Sequence, residues 1–251
     1  MKKPYLSVVI PSYNEVKNIH RGVLDEVLEY LKKQEYEWEL IMSDDGSTDG
    51  TGAELDLFAK QDSRIKILHN VHAGKAPTVK SGMLAAKGEW RLFTDFDQST
   101  PLSELEKLLK YTKEGAEIVI GSREMVGARR TKESFLRHLM GRVFNILVQV
   151  LAVPGFLDTQ CGFKLFSQKA TEDLYNSLWV YGKMEERSDA FTGAFDVELL
   201  YIALKRGYVL KEVPISWRAH ESDRVNPIKD SLRMLRDIII IRISDLQGKY
   251  N

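Results

Sequence analysis

Three features of this 251-residue chain predict an α/β protein with a mostly parallel, doubly wound sheet. Short runs that are almost wholly apolar recur along the first half, as buried parallel strands require. Each is followed by a stretch with apolar residues at helical spacing, giving about four β-α repeats joined by right-handed crossovers. Polar loops rich in Asp, Ser and Gly follow the first, second and fourth runs. In such a sheet those loops meet at one edge, where ligands bind beyond the carboxyl ends of the strands.

Residues 6–10 read as a strand stopped by Pro11, and residues 11–15 as a turn. One helix is expected from there to about Lys33, on the spacing of Val16, Ile19, Val23, Val27, Leu28 and Leu31. Residues 37–42 are the second strand, and 43–50 a dense loop of turn formers. A helix to Lys60, a strand over 65–68 and a helix from Gly74-Lys75 to about Gly88 follow. The strand 90–94 runs into Asp95, Asp97 and Pro101, and a helix over 103–113 and a strand over 117–120 end the repeating half.

Beyond Gly121 the pattern changes. A basic loop with Arg129, Arg130 and Lys132 precedes an apolar helix over 135–153. A turn over 158–163, a strand over 164–166 and a helix to Ser177 come next, then a polar segment, 182–190, that reads as mobile. Phe195 opens a helix to Arg206, a strand over 208–213 ends at Pro214, and 217–224 is a charged loop. The tail, 227 to about 246, reads as a helix with Lys229, Arg233, Arg236 and Arg242 among isoleucines and leucines.

Composition narrows the classes. Lys plus Arg and Asp plus Glu are both 36, so no basic field points to nucleic acid. Cys161 is the single cysteine, which excludes an intrachain disulfide and fits a reducing compartment. The N-terminal apolar stretch is too short for a signal peptide, and no apolar run reaches the roughly 18 residues a bilayer span needs. His69, His72, His138 and His220 lack metal-ligand spacing.

The chemistry centres on Asp95 and Asp97. In extended backbone, side chains at i and i+2 point to the same side. Two carboxylates so placed repel unless a cation lies between them, and Mg²⁺ or Mn²⁺ takes oxygen ligands of this kind. Mg²⁺ needs one or two protein carboxylates and completes its shell with phosphate oxygens, so the pair suggests a nucleotide-diphosphate site.

Five motifs in order, Val-Ile-Pro-Ser-Tyr-Asn-Glu15, Asp44-Asp-Gly-Ser-Thr-Asp49, Ser81-Gly-Met, Phe93-Thr-Asp95-x-Asp97 and Gly121-Ser-Arg123, resemble family 2 glycosyltransferases of the GT-A fold. Asp158-Thr-Gln-Cys-Gly-Phe-Lys164, Phe195-Asp-Val-Glu198 and Glu212-Val-Pro-Ile are similar to the dolichyl-phosphate β-glucosyltransferase and polyprenyl-phosphate sugar synthase branch. The resemblance implies a GT-A domain over 1–226, with a nucleotide-binding half over 1–121 and an acceptor-binding half over 122–226. An amphipathic helix and tail over 227–251 follow. It implies that Pro11, Tyr13, Glu15 and Asp44 hold the nucleotide, and that Asp95 and Asp97 hold Mg²⁺ or Mn²⁺ on the diphosphate. Arg123, Arg137 and Arg218 would surround donor and acceptor phosphates. Ser99 stands where mannose synthases carry a metal-binding Gln, and Gly74-Lys75-Ala76 where Gly-Lys-Gly is typical.

The function so implied is inverting transfer of a hexose, glucose before mannose, from UDP-glucose or GDP-mannose to a polyprenyl phosphate. A phosphate acceptor is ionised near neutral pH and needs no strong base, so arginines carry the acceptor side. The alternative is a soluble transferase acting on a sugar or protein hydroxyl, with Asp158, Asp196 or Glu198 as general base. A third reading is a nucleotide-sugar-binding protein without turnover. Bland readings stand beside these. Asp49 is expected to cap a helix, Lys75 to be a solvated lysine, Arg129 and Arg130 to be a surface charge run, and Cys161 to be a small buried side chain. With no spanning helix, the chain is expected in the cytoplasm, bound peripherally to membranes through the 135–153 helix and the tail. The alternative is that both helices pack on the sheet or on a second subunit; without surface docking, a membrane-anchored partner or a water-soluble acceptor is expected.

Overall fold

In the computed structural model the backbone is described for residues 2–131, 135–182, 193–218 and 227–251; at 135–140, 143 and 227–229 the description covers backbone only. Strands β1 (Leu6–Ser12), β2 (Trp38–Asp44), β3 (Ile65–His69), β4 (Trp90–Thr94), β5 (Ile118–Ser122), β7 (Phe163–Ser167) and β8 (Leu210–Pro214) form one sheet in the order β3-β2-β1-β4-β7-β5-β8. Neighbours are parallel except around β7, which runs antiparallel to both β4 and β5. A short parallel pair, β6 (Arg129–Arg130) with β9 (Ser216–Trp217), stands apart from it.

Strand alternation sends side chains to two cores. Val9, Phe93, Ile118, Ile120 and Phe166 face one, and Val8, Ile10, Leu92, Val119 and Leu165 the other. The first core packs under α4 (Lys75–Ala85), α6 (Phe135–Leu151), α7 (Gln168–Ser177), α8 (Phe195–Lys205) and α9 (Pro227–Leu246). The second lies under α2 (Val23–Lys32), α3 (Thr51–Ala59) and α5 (Leu105–Thr112). In α2 the buried Val23, Leu24, Val27, Leu28 and Leu31 form the stripe expected of a helix lying on a sheet.

Two expected boundaries are corrected. The single helix expected to Lys33 is split into α1 (Val16–His20) and α2, because Gly22 takes a left-handed conformation, φ 83°, between them. Pro11 does not stop β1, which continues to Ser12 opposite Asp44. Beyond Val9, β1 has lost its pairing with β4, so a residue without an N–H is tolerated there. The segment expected to be mobile lies, from residue 183, outside the described residues.

Candidate active site

The chain leaves β1 toward β2 and β3 on one side and returns to β4 on the other. That reversal opens a crevice at the carboxyl ends of β1 and β4. Because β7 is antiparallel, it begins where its neighbours end: Phe163 faces Thr94, and Lys164 faces Ile120. The preceding turn, 158–162, is thereby brought to the crevice although it is remote in sequence from the acidic pair.

On the near side, Pro11 and Ser12 are buried in β1 and Tyr13 stacks on His72, ring centroids 4.2 Å apart and 8° from parallel. Glu15 is buried; its N–H donates to Thr51 Oγ1 at 2.7 Å and its carboxylate accepts from the Asn18 amide. The adjacent acids Asp44 and Asp45 divide their work. Asp44 accepts from Ser12 Oγ at 3.2 Å and from the Ser47 N–H at 3.2 Å, tying the loop after β2 to β1. Asp45 accepts from the N–H groups of Ala73, at 2.9 Å, and Gly74, and from Thr78 Oγ1, at 2.8 Å, with His72 Nδ1 2.9 Å away. It thereby fixes the start of α4, a role no local pattern announces. Asp49 receives the Thr51 N–H, at 3.0 Å, and the Val16 N–H, at 3.3 Å, as its turn position leads one to expect.

The acidic pair sits in a tight turn. The Asp95 N–H donates to the Gly162 carbonyl at 3.1 Å, and its carboxylate lies so close to Gly162 that an added Cβ there would be 2.0 Å from Oδ2. Asp97 accepts from the Ser99 N–H at 2.8 Å and Ser99 Oγ at 2.9 Å, and its carbonyl accepts from Arg21 Nη2 at 3.1 Å. Between them Gln98 holds φ 50°, a left-handed conformation costly for a side chain of this type, with its amide Nε2 donating to the Asp95 carbonyl at 2.8 Å. Lys75, expected to be solvated, instead places Nζ 2.6 Å from Asp95 Oδ1. Burial alone would push the ammonium down, but Asp95, Asp196 and Asp97 around it hold it above its ordinary value. No cluster of three or more His, Cys, Asp or Glu ligands exists among the described residues. The donor set fits a hard divalent ion all the same, because Mg²⁺ or Mn²⁺ on one or two carboxylates is completed by phosphate oxygens. The Asp95 carboxylate is 37% exposed and meets Lys75, and that of Asp97 meets Ser99.

The far side is built from paired charges. Arg123 grips Asp158 with Nε at 2.7 Å and Nη2 at 2.8 Å, and its N–H adds a third bond at 2.9 Å. Burial works against an ionised Asp158, but Arg123 overrides it and holds the carboxyl below its usual range. Glu212 of β8 receives the N–H groups of Leu157, at 2.9 Å, and Asp158, at 2.8 Å. Lys164, wholly buried in β7, pairs with Asp196 of α8 at 2.6 Å and donates to the Cys161 carbonyl. Burial raises the Asp196 carboxyl, and Lys164 only partly offsets this. Burial also pushes the Cys161 thiol up to about 12, which makes it inert. Glu198 is buried and receives the N–H groups of Trp179, at 2.7 Å, Val180, at 2.8 Å, and Tyr181, at 3.0 Å, together with the Tyr250 hydroxyl, at 2.7 Å. It anchors the 179–181 segment.

Arg218 is exposed and its N–H donates to the Ser99 carbonyl at 2.7 Å, which sets it beside the acidic turn. Arg137 lies in α6, but its side chain is outside the described residues, as is Lys132. Arg130, read as part of a surface charge run, bonds Glu124 and lies 5.2 Å over the Trp217 ring; Arg129 is exposed. Arg123, Arg130 and Arg142, with Glu124, Asp158 and Thr159, line a small cleft beside this cluster, about 60 Å³ in volume. The Lys164–Asp196 pair was signalled only by a lysine amid the apolar run Phe163-Lys-Leu-Phe166, and Glu212 by an acid in a short strand.

The family model described as Glycosyl transferase family 2 matches residues 7–175. The dolichyl-phosphate β-glucosyltransferase of Dictyostelium discoideum is 33% identical, the alignment spanning 97% of this chain and 76% of the relative. The human enzyme of that name is 34% identical over 98% of this chain and 77% of its own. Among solved structures, glucosyl-3-phosphoglycerate synthase from Mycobacterium tuberculosis, in complex with Mn²⁺, UDP and phosphoglyceric acid, superposes with a TM-score of 0.64 at 20% identity, over 99% of this chain and 79% of the other. A mannosyltransferase from Pyrobaculum calidifontis with GDP-mannose and Mn²⁺ gives 0.57 at 18% identity, over 100% and 74%. At such identities these two structures speak to the fold.

Proposed function

This chain belongs to glycosyl transferase family 2, and from that premise we propose that it moves glucose from UDP-glucose to a polyprenyl phosphate of the dolichyl kind at a membrane surface. It is a glycosyltransferase of the GT-A fold, with a seven-stranded sheet flanked by helices. The observation that carries the choice of acceptor is the state of the three carboxylates able to serve as a base. Asp158 is held by Arg123, Asp196 by Lys164, and Glu198 by three backbone N–H groups and a tyrosine. A hydroxyl acceptor needs a base to take its proton in the transition state. A phosphate monoester is already ionised and needs cations, and Arg123, Arg130 and Arg142 line the adjacent cleft together with their counterions Asp158 and Glu124.

In this reading Tyr13, Glu15 and Asp44 hold the nucleoside on the near side of the crevice, with Pro11 shaping the turn that carries them. Asp95 and Asp97 would hold Mg²⁺ or Mn²⁺, which would neutralise the charge that develops on the departing diphosphate. Lys75, beside Asp95, adds a fixed positive charge on the same side, and Ser99 fixes the Asp97 carboxylate. Arg123, Arg137 and Arg218 steer the acceptor phosphate toward the sugar and offset its charge during approach. The 1–121 half thus serves the donor and the 122–226 half the acceptor. Among the described residues no helix is long and apolar enough to cross a membrane.

The deciding assay offers radiolabelled UDP- and GDP-sugars with polyprenyl phosphate and scores label extracted into organic solvent. Extraction from UDP-glucose alone is expected. Label that passes only to sugar or protein hydroxyls overturns the acceptor, and label extracted from GDP-mannose alone overturns the donor.

A further inference from the structure

The Asp95 carboxylate is enclosed on two sides. Gly162 backs it so closely that an added Cβ there would lie 2.0 Å from Oδ2 and 2.6 Å from Oδ1. The Asp95 N–H, bonded to the Gly162 carbonyl at 3.1 Å, holds the backbone against that wall. On another side the carboxylate meets the Lys75 ammonium, 2.6 Å from Oδ1. Both side chains still reach solvent, so the pair lies open to the crevice.

Lys75 is firmly rooted. Asp45 accepts from the N–H groups of Ala73 and Gly74 and from the Thr78 hydroxyl, which clamps the chain on either side of Lys75. Its Nζ lies 5.4 Å from the centroid of the buried Phe93 ring. Two further carboxylates act on its charge, and both have donors elsewhere: Asp196 pairs with Lys164, and Asp97 accepts from Ser99. The two members of the acidic pair therefore differ. The Asp97 carboxylate meets the neutral donors of Ser99, whereas that of Asp95 already carries a cation.

Mg²⁺ binds carboxylate oxygen at about 2.1 Å. A divalent ion on Asp95 would thus come within a few ångströms of the ammonium on the same group, and like charges that close repel strongly where water is partly excluded. Lys75 and the ion compete for one carboxylate. A diphosphate changes the balance, because it offers the ammonium other oxygens and a flexible four-carbon stem lets the ammonium turn to them. Each ligand alone is opposed, the ion by Lys75 and the diphosphate by two acids that lose their lysine. We propose that Lys75 is an exchangeable counterion, which leaves Asp95 for the diphosphate and so makes the divalent ion and the nucleoside diphosphate bind as a pair. The proposal rests on the metal and donor reading above and adds a coupling between the two ligands. Such coupling is reciprocal and commonly changes affinity by about 5- to 150-fold.

The test measures binding rather than turnover, on the full chain. Mn²⁺ binding without nucleotide is read from the electron paramagnetic resonance of the free ion, and UDP binding in EDTA by calorimetry. Lys75→Met is expected to bind Mn²⁺ alone about tenfold more tightly than the wild type, and UDP in EDTA about tenfold more weakly. Lys75→Gln is measured beside it, against failure of the methionine variant to fold, with the same two shifts expected. Lys75→Arg keeps the charge and is expected to bind Mn²⁺ as the wild type does. Either shift without the other overturns the proposal, as does an arginine variant that behaves like the methionine one. A wild type that binds no Mn²⁺ even with UDP present overturns it together with the metal assignment. Coupling of Mn²⁺ to GDP and not to UDP sinks the donor reading and leaves the exchange standing.

Discussion

Asp97 and Asp158 are both acids near the crevice, and their surroundings separate their roles. Among the described residues Asp97 has Ser99 as its side-chain partner, a neutral donor that leaves its charge to a cation. Asp97→Asn keeps the size and removes that charge. Transfer is expected to fall by at least a hundredfold with an unchanged circular dichroism spectrum, and excess EDTA to do the same to the wild type. Full turnover in either case would end the metal assignment. Asp158, by contrast, is the counterion of Arg123. Taking one member from a buried pair costs about 3–5 kcal/mol, and about 3 kcal/mol is expected for Asp158→Asn because an acceptor oxygen remains. Its carboxyl is held below the usual value, so the stability it contributes is fully present above the unfolded pKa of about 3.9 and is lost as pH falls through the folded value. Denaturant titrations of the two proteins should therefore differ most near neutral pH and converge in acid. A gap that stays constant down to strong acid would mean that Asp158 acts by packing rather than by charge.

Among the elements, β7 does most to assemble the site. Its antiparallel insertion brings the 158–162 turn under Asp95, and the Lys164–Asp196 pair ties that turn to α8 through the Cys161 carbonyl. A wholly buried ion pair is seldom a net source of stability, but breaking it strands a charge. Lys164→Met is expected to cost about 3–5 kcal/mol, while Lys164→Met with Asp196→Leu recovers most of that loss in chemical denaturation. Equal destabilisation by the single and double changes would show that the two residues do not act as a pair. Helix α9 shows the opposite case, where the element was legible and its orientation was not. Its boundaries follow from spacing and from Pro227 at the first helical position, yet the outward isoleucines depend on what α6 and α8 leave uncovered.

For the whole molecule, donor and metal should act together on stability. The crevice is made by loops from β1, β2, β4 and β7, so a ligand that bridges them holds both halves of the sheet. A ligand at about 100 times its dissociation constant adds about 2.7 kcal/mol to the folded state. For a chain of this size that corresponds to roughly 5–10 °C in melting temperature. UDP-glucose with Mn²⁺ is expected to give such a rise and UDP-glucose with EDTA much less. Equal shifts with and without the metal would place the diphosphate on Lys75 and the arginines alone.

The β-α alternation, the position of Asp95 and Asp97 at a strand end, the capping role of Asp49 and the burial of Cys161 were all legible in the sequence. Each depends on periodicity or on turn chemistry within a few residues, which local spacing records. The pairings Lys75 with Asp95, Arg123 with Asp158, and Lys164 with Asp196 were not, nor was the use of Asp45 to pin the start of α4. Their members lie 20 to 35 residues apart, on elements whose neighbours are chosen by the sheet order rather than by distance along the chain. An ion pair has no sequence period. Only when β7 turns antiparallel between β4 and β5 do the acidic turn and its counter-charges come within a few ångströms, and the strength of an electrostatic contact is set by that separation and by how dry the surroundings are.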